Sequence, residues 1–342
     1  MSRIASVLLP MPLPEPFDYA EPEGMGLSVG DQVAAPLGPR TLRGVVVGLR
    51  DAVGGNRPLK PLEARLDEPP LPPATLDFVQ WAARYAVDAP GQPLAIALRG
   101  ARAPRARPEK KVRATGAEPA RATPARDKVL AALDGFDGSA ADLARAAGVS
   151  AGVVKGLIDD GVLVIEVVEP VARFDAPDLA RPRAPLNPSQ SAAAGALRAM
   201  MDEGGFNVAL LDGVTGSGKT EVYLEAVAHA LAADPTAQVL VLLPEIALTQ
   251  AVIARFEDRF GARPGEWHSD IAPPARRRVW EAVAAGRCSI VVGARSALFL
   301  PFTRLKLIVV DEEHDTSFKQ EEGFIYQARD LAVVRGKMEE AA

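Results

Sequence analysis

Gly213-Val-Thr-Gly-Ser-Gly-Lys219-Thr220 decides how this chain is read. The apolar run Val208–Leu211 predicts a strand leading into it, and Glu221–Ala233 predicts a helix leading out. Strand, glycine-rich turn and helix is the setting of a phosphate-binding loop. Gly213, Gly216 and Gly218 let the backbone curl so that successive N–H groups point at phosphate oxygens, with Thr215 and Ser217 between them. The helix start adds its positive dipole end. Lys219 is placed for the β/γ-phosphates and the Thr220 hydroxyl for Mg²⁺.

A second run agrees. Leu305–Val310 reads as a buried strand ending in Asp311-Glu-Glu-His314. A carboxylate at the C-terminal end of a parallel strand is where a Mg²⁺ ligand and a water-activating acid belong. Asp311 is the expected metal partner and Glu312 the expected activator. Strands at Val239–Leu243 and Ser289–Val292 alternate with helical stretches, which predicts a parallel sheet covered by helices on both faces. Loops at the strand ends then bring Thr249, Arg295 and Ser296 to one rim with Lys219, where Arg295 and Ser296 suit strand phosphates. The order of motifs predicts a nucleotide triphosphatase.

Bulk properties narrow the class. At 342 residues the chain is long enough for several domains, and a hydrophobic content of 48% supports real cores. No apolar run reaches membrane-spanning length and no signal peptide opens the chain, so a cytoplasmic protein is expected. The lone Cys288, inside an apolar run, provides neither a disulfide framework nor a zinc site and reads as a buried, inert thiol. A net charge of −5 does not mark a nucleic-acid binder, so any such role must come from local patches.

Four regions are expected. Residues 1–98 read as β-rich, with strands at Ile4–Leu9, Val29–Ala35 and Leu42–Leu49 and a helix at Leu76–Val87. Here Phe17-Asp18-Tyr19 places two aromatics around a carboxylate. Stacking on a base with Asp18 bonded to a sugar hydroxyl is one reading; two core rings and a turn residue is the other. Lys60 has the same two readings, ligand contact or solvated cation. Residues 99–126, basic and rich in proline and alanine, read as a linker that is either a nucleic-acid tether or a spacer. Residues 127–172 carry three short helical stretches and a β run, the pattern of a winged helix, with few cations on its third helix.

Residues 173–342 form the nucleotide-binding lobe. Gln190, in a helix start upstream of the loop, suits an adenine edge as well as an ordinary first turn. Phe318, Lys319, Phe324 and Tyr326 follow the acidic motif. They suit stacking on unpaired bases, or packing against the sheet.

These residues together resemble the primosomal replication-restart helicases of superfamily 2, the PriA family. The likeness runs through Phe17-Asp18-Tyr19, Gly213–Thr220, Leu243–Gln250, Trp267-His-Ser269, Gly293–Phe299, Asp311–Asp315, Ser317–Gln320 and Ala328–Ala332. It implies a multidomain α/β protein: a β-rich DNA-binding domain, a winged helix and one RecA-like P-loop lobe. It implies a 3′→5′ DNA helicase that uses ATP and Mg²⁺, recognises stalled forks and reloads the replication machinery. Single-stranded DNA-binding protein and primosome proteins are the implied partners. The resemblance moves Asp18 from turn residue to reader of a nascent 3′ end and adds His314 to the nucleotide site. Gln327 stands where the family commonly has His. The family's zinc module, second lobe and arginine finger lie beyond Ala342, and no zinc ligands occur in this chain. The expectation is therefore weak hydrolysis and no duplex unwinding.

Overall fold

Short alternating runs broken by proline and glycine build an antiparallel sheet from the first part of the chain. The computed structural model describes residues 3–51, 58–105, 108–168, 174–214 and 216–342. Strands β1 (Arg3–Leu8), β2 (Phe17–Ala20), β3 (Gln32–Leu37), β4 (Arg40–Asp51) and β5 (Ala64–Arg65) lie in the order β2-β1-β4-β3-β5. Alternation divides their side chains. Val7 and Val46 enter a core with Ala5, Tyr19, Val33 and Ala35, while the neighbouring Leu8 and Val45 enter a second core on the other face. Gly44 is where β4 meets β1 most closely: a Cβ there would sit 2.4 Å from Val7 Cγ1. Helices α1 (Pro73–Ala86) and α2 (Gly91–Ala97) follow the sheet.

By its contacts the chain divides into two units, residues 1–104 with 172–342, and residues 105–171. The second is built from β6 (Glu109–Ala114), α3 (Pro124–Ala131), α4 (Ala140–Ala146), α5 (Ala151–Asp159) and β7 (Leu163–Val168). Val112, Val129, Leu143, Val154, Leu157 and Val162 make its core. The expected linker at 99–126 is corrected here, because β6 lies inside it and pairs antiparallel with β7. Composition misleads because only Val112 of this strand faces the core. The strand's cations are spent locally instead, Lys111 and Arg113 on Asp137 and Arg113 also on Glu166.

The first unit continues with α6 (Pro188–Asp202), α7 (Lys219–Ala233), β8 (Gln238–Leu242), α8 (Gln250–Phe260), β9 (Gly265–Trp267), α9 (Pro273–Ala284), β10 (Ile290–Gly293) and β11 (Leu305–Val310). A two-stranded ribbon, β12 (Lys319–Gln320) and β13 (Tyr326–Gln327), leads into α10 (Ala328–Glu339). The parallel sheet runs β11-β8-β10-β9. Along β8, Val239 and Val241 face α7 and α8, while Leu240 and Leu242 face the side of α9 and α10. That is why these strands read as unbroken apolar runs.

The expected strand at Val208–Leu211 is not formed. Val208 and Leu210 are 63% and 80% exposed. A strand needs a ladder partner, and the outer edge of β11 is bonded elsewhere. Ile308 N donates to Ala342 O at 2.9 Å and Ala342 N to Lys306 O at 3.1 Å.

The antiparallel sheet and the parallel sheet share one core. Leu8, Leu76 and Phe78 pack in the same cluster as Trp280, Phe299 and Leu331. Two buried arginines tie it. Arg277 Nη1 donates to Ala101 O and Ala103 O at 2.8 and 2.9 Å, and the same side chain pairs with Glu68 and Glu281. Arg335, fully buried, donates to Thr75 Oγ1, Leu298 O and Glu339, over the face of Phe78. Removing one partner of a buried pair costs about 3–5 kcal/mol because the other stays desolvated. Arg335→Met is therefore expected to destabilise the first unit by about that amount. Urea unfolding followed by tryptophan fluorescence checks it; a loss below about 1 kcal/mol would mean the tie is dispensable.

Candidate functional site

The phosphate-binding sequence ends at the first turn of α7. Gly216 and Gly218 take φ of +81° and +83°, the left-handed region that a glycine reaches without strain. Gly213 has a different reason: a Cβ there would lie 2.8 Å from Ser217 Oγ. Thr215 lies outside the described residues. Lys219 Nζ donates to Gly213 O at 2.6 Å, so the loop's cation is folded back onto its own backbone.

Gln190 does not present a free edge for adenine. It closes a capping box with Asn187 at the start of α6, and its Nε2 donates to Ser217 O at 2.8 Å. Both ends of the amide are used, one on the helix start and one on the loop. Asn187 is the cap.

Asp311 stands just beyond β11, where its N–H still bonds Leu242 O at 3.0 Å. Glu312 N donates to Asp311 Oδ1 at 3.0 Å, and Glu312 itself takes φ +50°, a costly conformation for a side-chain-bearing residue. Gly213, Lys219, Asp311, Glu312 and His314 line one cavity of about 780 Å³. His314 is largely exposed and lies 3.6 Å from Glu312.

Tyr223 joins this set, and the sequence reading missed it. Its hydroxyl donates to Asp311 Oδ2 at 3.1 Å, and Thr220 acts on the same phenol, whose ionisation burial pushes up. The signal was available: Tyr223 is one helical turn beyond Lys219 and so shares its face. A hydroxyl and a carboxylate suit Mg²⁺, which takes few protein oxygens and completes its shell with phosphates and water. Thr220 and Asp311 fit that demand, with Tyr223 orienting Asp311. Among the described residues no group of three or more His, Cys, Asp or Glu forms a metal cage.

At the other site, Asp18 lies exposed on β2 opposite Ser6 of β1. Ser6 Oγ donates to Asp18 Oδ1 at 2.7 Å, and Arg50 Nη1 to the same oxygen at 3.0 Å, with Nη2 on Oδ2. Arg50 and, after it, Ser6 hold the Asp18 carboxyl below the usual carboxylate range. Phe17 is exposed beside it. Tyr19 is a correction: it is 3% exposed and its hydroxyl donates to Pro36 O, so it packs in the core and offers no stacking face. The Lys60 side chain is exposed, and its carbonyl accepts from Ala20 N at the end of β2, which brings it to the same edge.

The aromatic segment after the acidic motif is corrected as well. Phe318, Phe324 and Tyr326 are 1%, 4% and 5% exposed, and the last two meet Phe299 edge-on. Packing on the sheet claims their faces, and only Lys319 of that group remains exposed, paired with Glu321. Arg295 Nη1 donates to the carbonyls of Ser317 and Lys319, both at 2.7 Å, and so holds this segment. Ser296 Oγ accepts from Trp267 Nε1 at 3.1 Å. Cys288 is buried, and burial pushes its thiol up to about 12, which leaves it protonated.

Comparison with known proteins bears on both sites. Residues 6–99 match the 3′DNA-binding domain (3′BD) of PriA, and residues 187–338 match the DEAD/DEAH box helicase family. The replication restart protein PriA of Haemophilus influenzae is 34% identical over 97% of this chain and 47% of its own length. Those of Rickettsia conorii and Bacillus subtilis are 49% and 39% identical over 39% and 58% of this chain. The latter two alignments cover 20% and 25% of the relatives. Nearly all of this chain is aligned, and it spans about half the length of the Haemophilus relative.

Two outcomes are expected. The folded Asp18 carboxyl ionises at lower pH than an unfolded one. Its pairing therefore stabilises the fold fully above about pH 3.9 and loses that contribution as pH falls through the lower folded value. Arg50→Met should move the Asp18 midpoint upward in a ¹³C NMR titration; an unmoved midpoint would show that Arg50 does not hold it. Tyr223→Phe, which removes only the hydroxyl bonded to Asp311, should raise the Mg²⁺ needed for half-maximal binding of a fluorescent adenine nucleotide by about tenfold. Metal-free nucleotide binding should stay the same.

Proposed function

We propose that this chain, similar to the replication restart proteins PriA over nearly all of its length, is the part of an ATP-driven 3′→5′ DNA helicase that reads abandoned forks and starts primosome assembly. The supporting observation is the cavity in which Gly213, Lys219, Asp311 and Glu312 meet. In the proposed cycle Lys219 leaves Gly213 O to reach the β/γ-phosphates, a short swing of a side chain already at the loop. Bound Mg²⁺ supplies charge neutralisation at those phosphates, and Thr220 and Asp311 are the residues that would hold it. Glu312, at the mouth of the same cavity, orients and deprotonates the attacking water. The exposed Phe17 and Asp18, with Lys60 on the same edge, are the proposed reader of a 3′ terminus. Phe17 stacks on the last base and Asp18 accepts from the terminal sugar hydroxyl. The module at 105–171, three helices and a two-stranded ribbon, is proposed as a winged helix. Single-stranded DNA-binding protein and primosome proteins are the proposed partners, and the cytoplasm the proposed location.

A second reading has its own observation. With Val208–Leu211 off the sheet and Lys219 bonded inward, the described conformation is not arranged around a nucleotide, which suits a fork-binding module without productive hydrolysis. One experiment separates them. The chain is titrated into a fork with a free 3′-hydroxyl at the branch and into the same fork 3′-phosphorylated, for wild type, Asp18→Ala and Lys219→Ala. The 3′-hydroxyl fork should bind more tightly, by about tenfold, as expected when a site loses a terminal hydrogen-bonded group. Asp18→Ala should erase that preference; Lys219→Ala should leave it intact and abolish ATP binding. Equal binding to both forks by the wild type rejects end reading. ATP binding that survives Lys219→Ala rejects the nucleotide site.

A further inference from the structure

Residues 99–103 open the stretch expected as a linker, yet they form a pinned turn. Trp280 Nε1 donates to Ala97 O at 2.7 Å, and the buried Arg277 donates to Ala101 O and Ala103 O. Gly100 lies so close to Trp280 that a Cβ would come within 2.3 Å of the Trp280 Cβ. The carbonyls of Ala97, Ala101 and Ala103 are thus held from the protein side, and Arg99 and Arg102 are both exposed. Neither side chain makes a hydrogen bond or ion pair with any described residue. They line a groove of about 690 Å³ together with Arg276, Arg295, Phe324 and Tyr326.

The charges in this groove are not balanced within it. Burial and then the positive charge of Arg99 hold the Arg276 guanidinium down from its ordinary value. Two carboxylates, Glu245 and Glu322, stand against four guanidiniums, and Glu245 accepts from Ser269 N. Arg295 spends Nη1 and Arg276 spends Nη2 on backbone carbonyls, which leaves Arg99 and Arg102 as the guanidiniums whose side chains bond no described residue. Rigidly held cations around a polar groove of ligand-site size call for an extended polyanion.

We infer that the Arg99–Arg102 turn, with Arg276, is a rail for the phosphodiester backbone of an unpaired nucleic-acid strand. The strand runs between the antiparallel-sheet region and the parallel-sheet lobe. The inference rests on the DNA-binding reading above and assigns the strand contacts to this turn in place of the buried aromatics at 318–326.

The probe is a fluorescein-labelled dT12 oligonucleotide, titrated into the full chain at several salt concentrations. Each phosphate neutralised on a single strand contributes about 0.7 to the slope of log K against log salt. Arg99→Glu with Arg102→Glu should weaken binding at least tenfold and flatten the slope by about 1.4. Arg99→Lys with Arg102→Lys should retain most of both. Both positions are exposed, and a nucleotide-binding measurement at the P-loop confirms that the variants are folded. If the wild type binds dT12 and the glutamate variant binds it with the same affinity and slope, the rail is wrong and the DNA reading stands. If the wild type does not bind dT12 at all, both fail. If inorganic phosphate at matched ionic strength displaces dT12, the groove is a site for a single anion and the strand assignment is overturned.

Discussion

Everything in the larger unit hangs on two guanidinium groups kept out of water. Arg277 and Arg335 each reach from a helix of the parallel-sheet lobe into the region built by the first hundred residues. Arginine suits this task because five fixed donors can satisfy several carbonyls and a carboxylate at once. The desolvation cost of each charge is offset only while all those partners stay in place, which makes the arrangement specific as well as strong. The aromatic packing around Trp280 and Phe299 then fills the space that the arginines define. A β-rich region and a helicase lobe that look separable in sequence are thereby one body.

The same economy governs the cavity proposed for a nucleotide. Lys219, Gln190 and Asp311, three groups that the sequence offers to a nucleotide, each have a protein partner in the structure. Ligand binding is then an exchange of hydrogen bonds and not a net gain of them, and only the difference contributes to affinity. Glu312, held at positive φ beside Asp311, stores some of the strain that such sites carry.

Phosphate chemistry leaves few choices of residue, so the P-loop and the acidic strand end could be read directly from the chain. The parallel sheet followed from runs such as Val239–Leu243 that are apolar on both faces. What could not be read were the choices that depend on distant partners. Phe318, Phe324 and Tyr326 have the same composition whether they stack on bases or on Phe299; only the fold decides. Strand β6 hid because one buried valine and a row of salt-bridged cations resemble a basic spacer. Tyr19 and Asp18 are neighbours with opposite fates, because alternation turns one into the core and the other to solvent. The run Val208–Leu211 has every local property of a strand and lacks only an edge to join.

The register of β6 against β7 has one more consequence. Glu109 sits opposite Val168, so the module at 105–171 begins and ends at adjacent points on one ribbon. A domain whose two ends meet is a cassette: it interrupts the chain without interrupting the fold on either side. The larger unit already assembles from residues drawn from before and after it. A module joined in this way can be exchanged or lengthened with little change to its host, a freedom that the arginine-tied unit does not have.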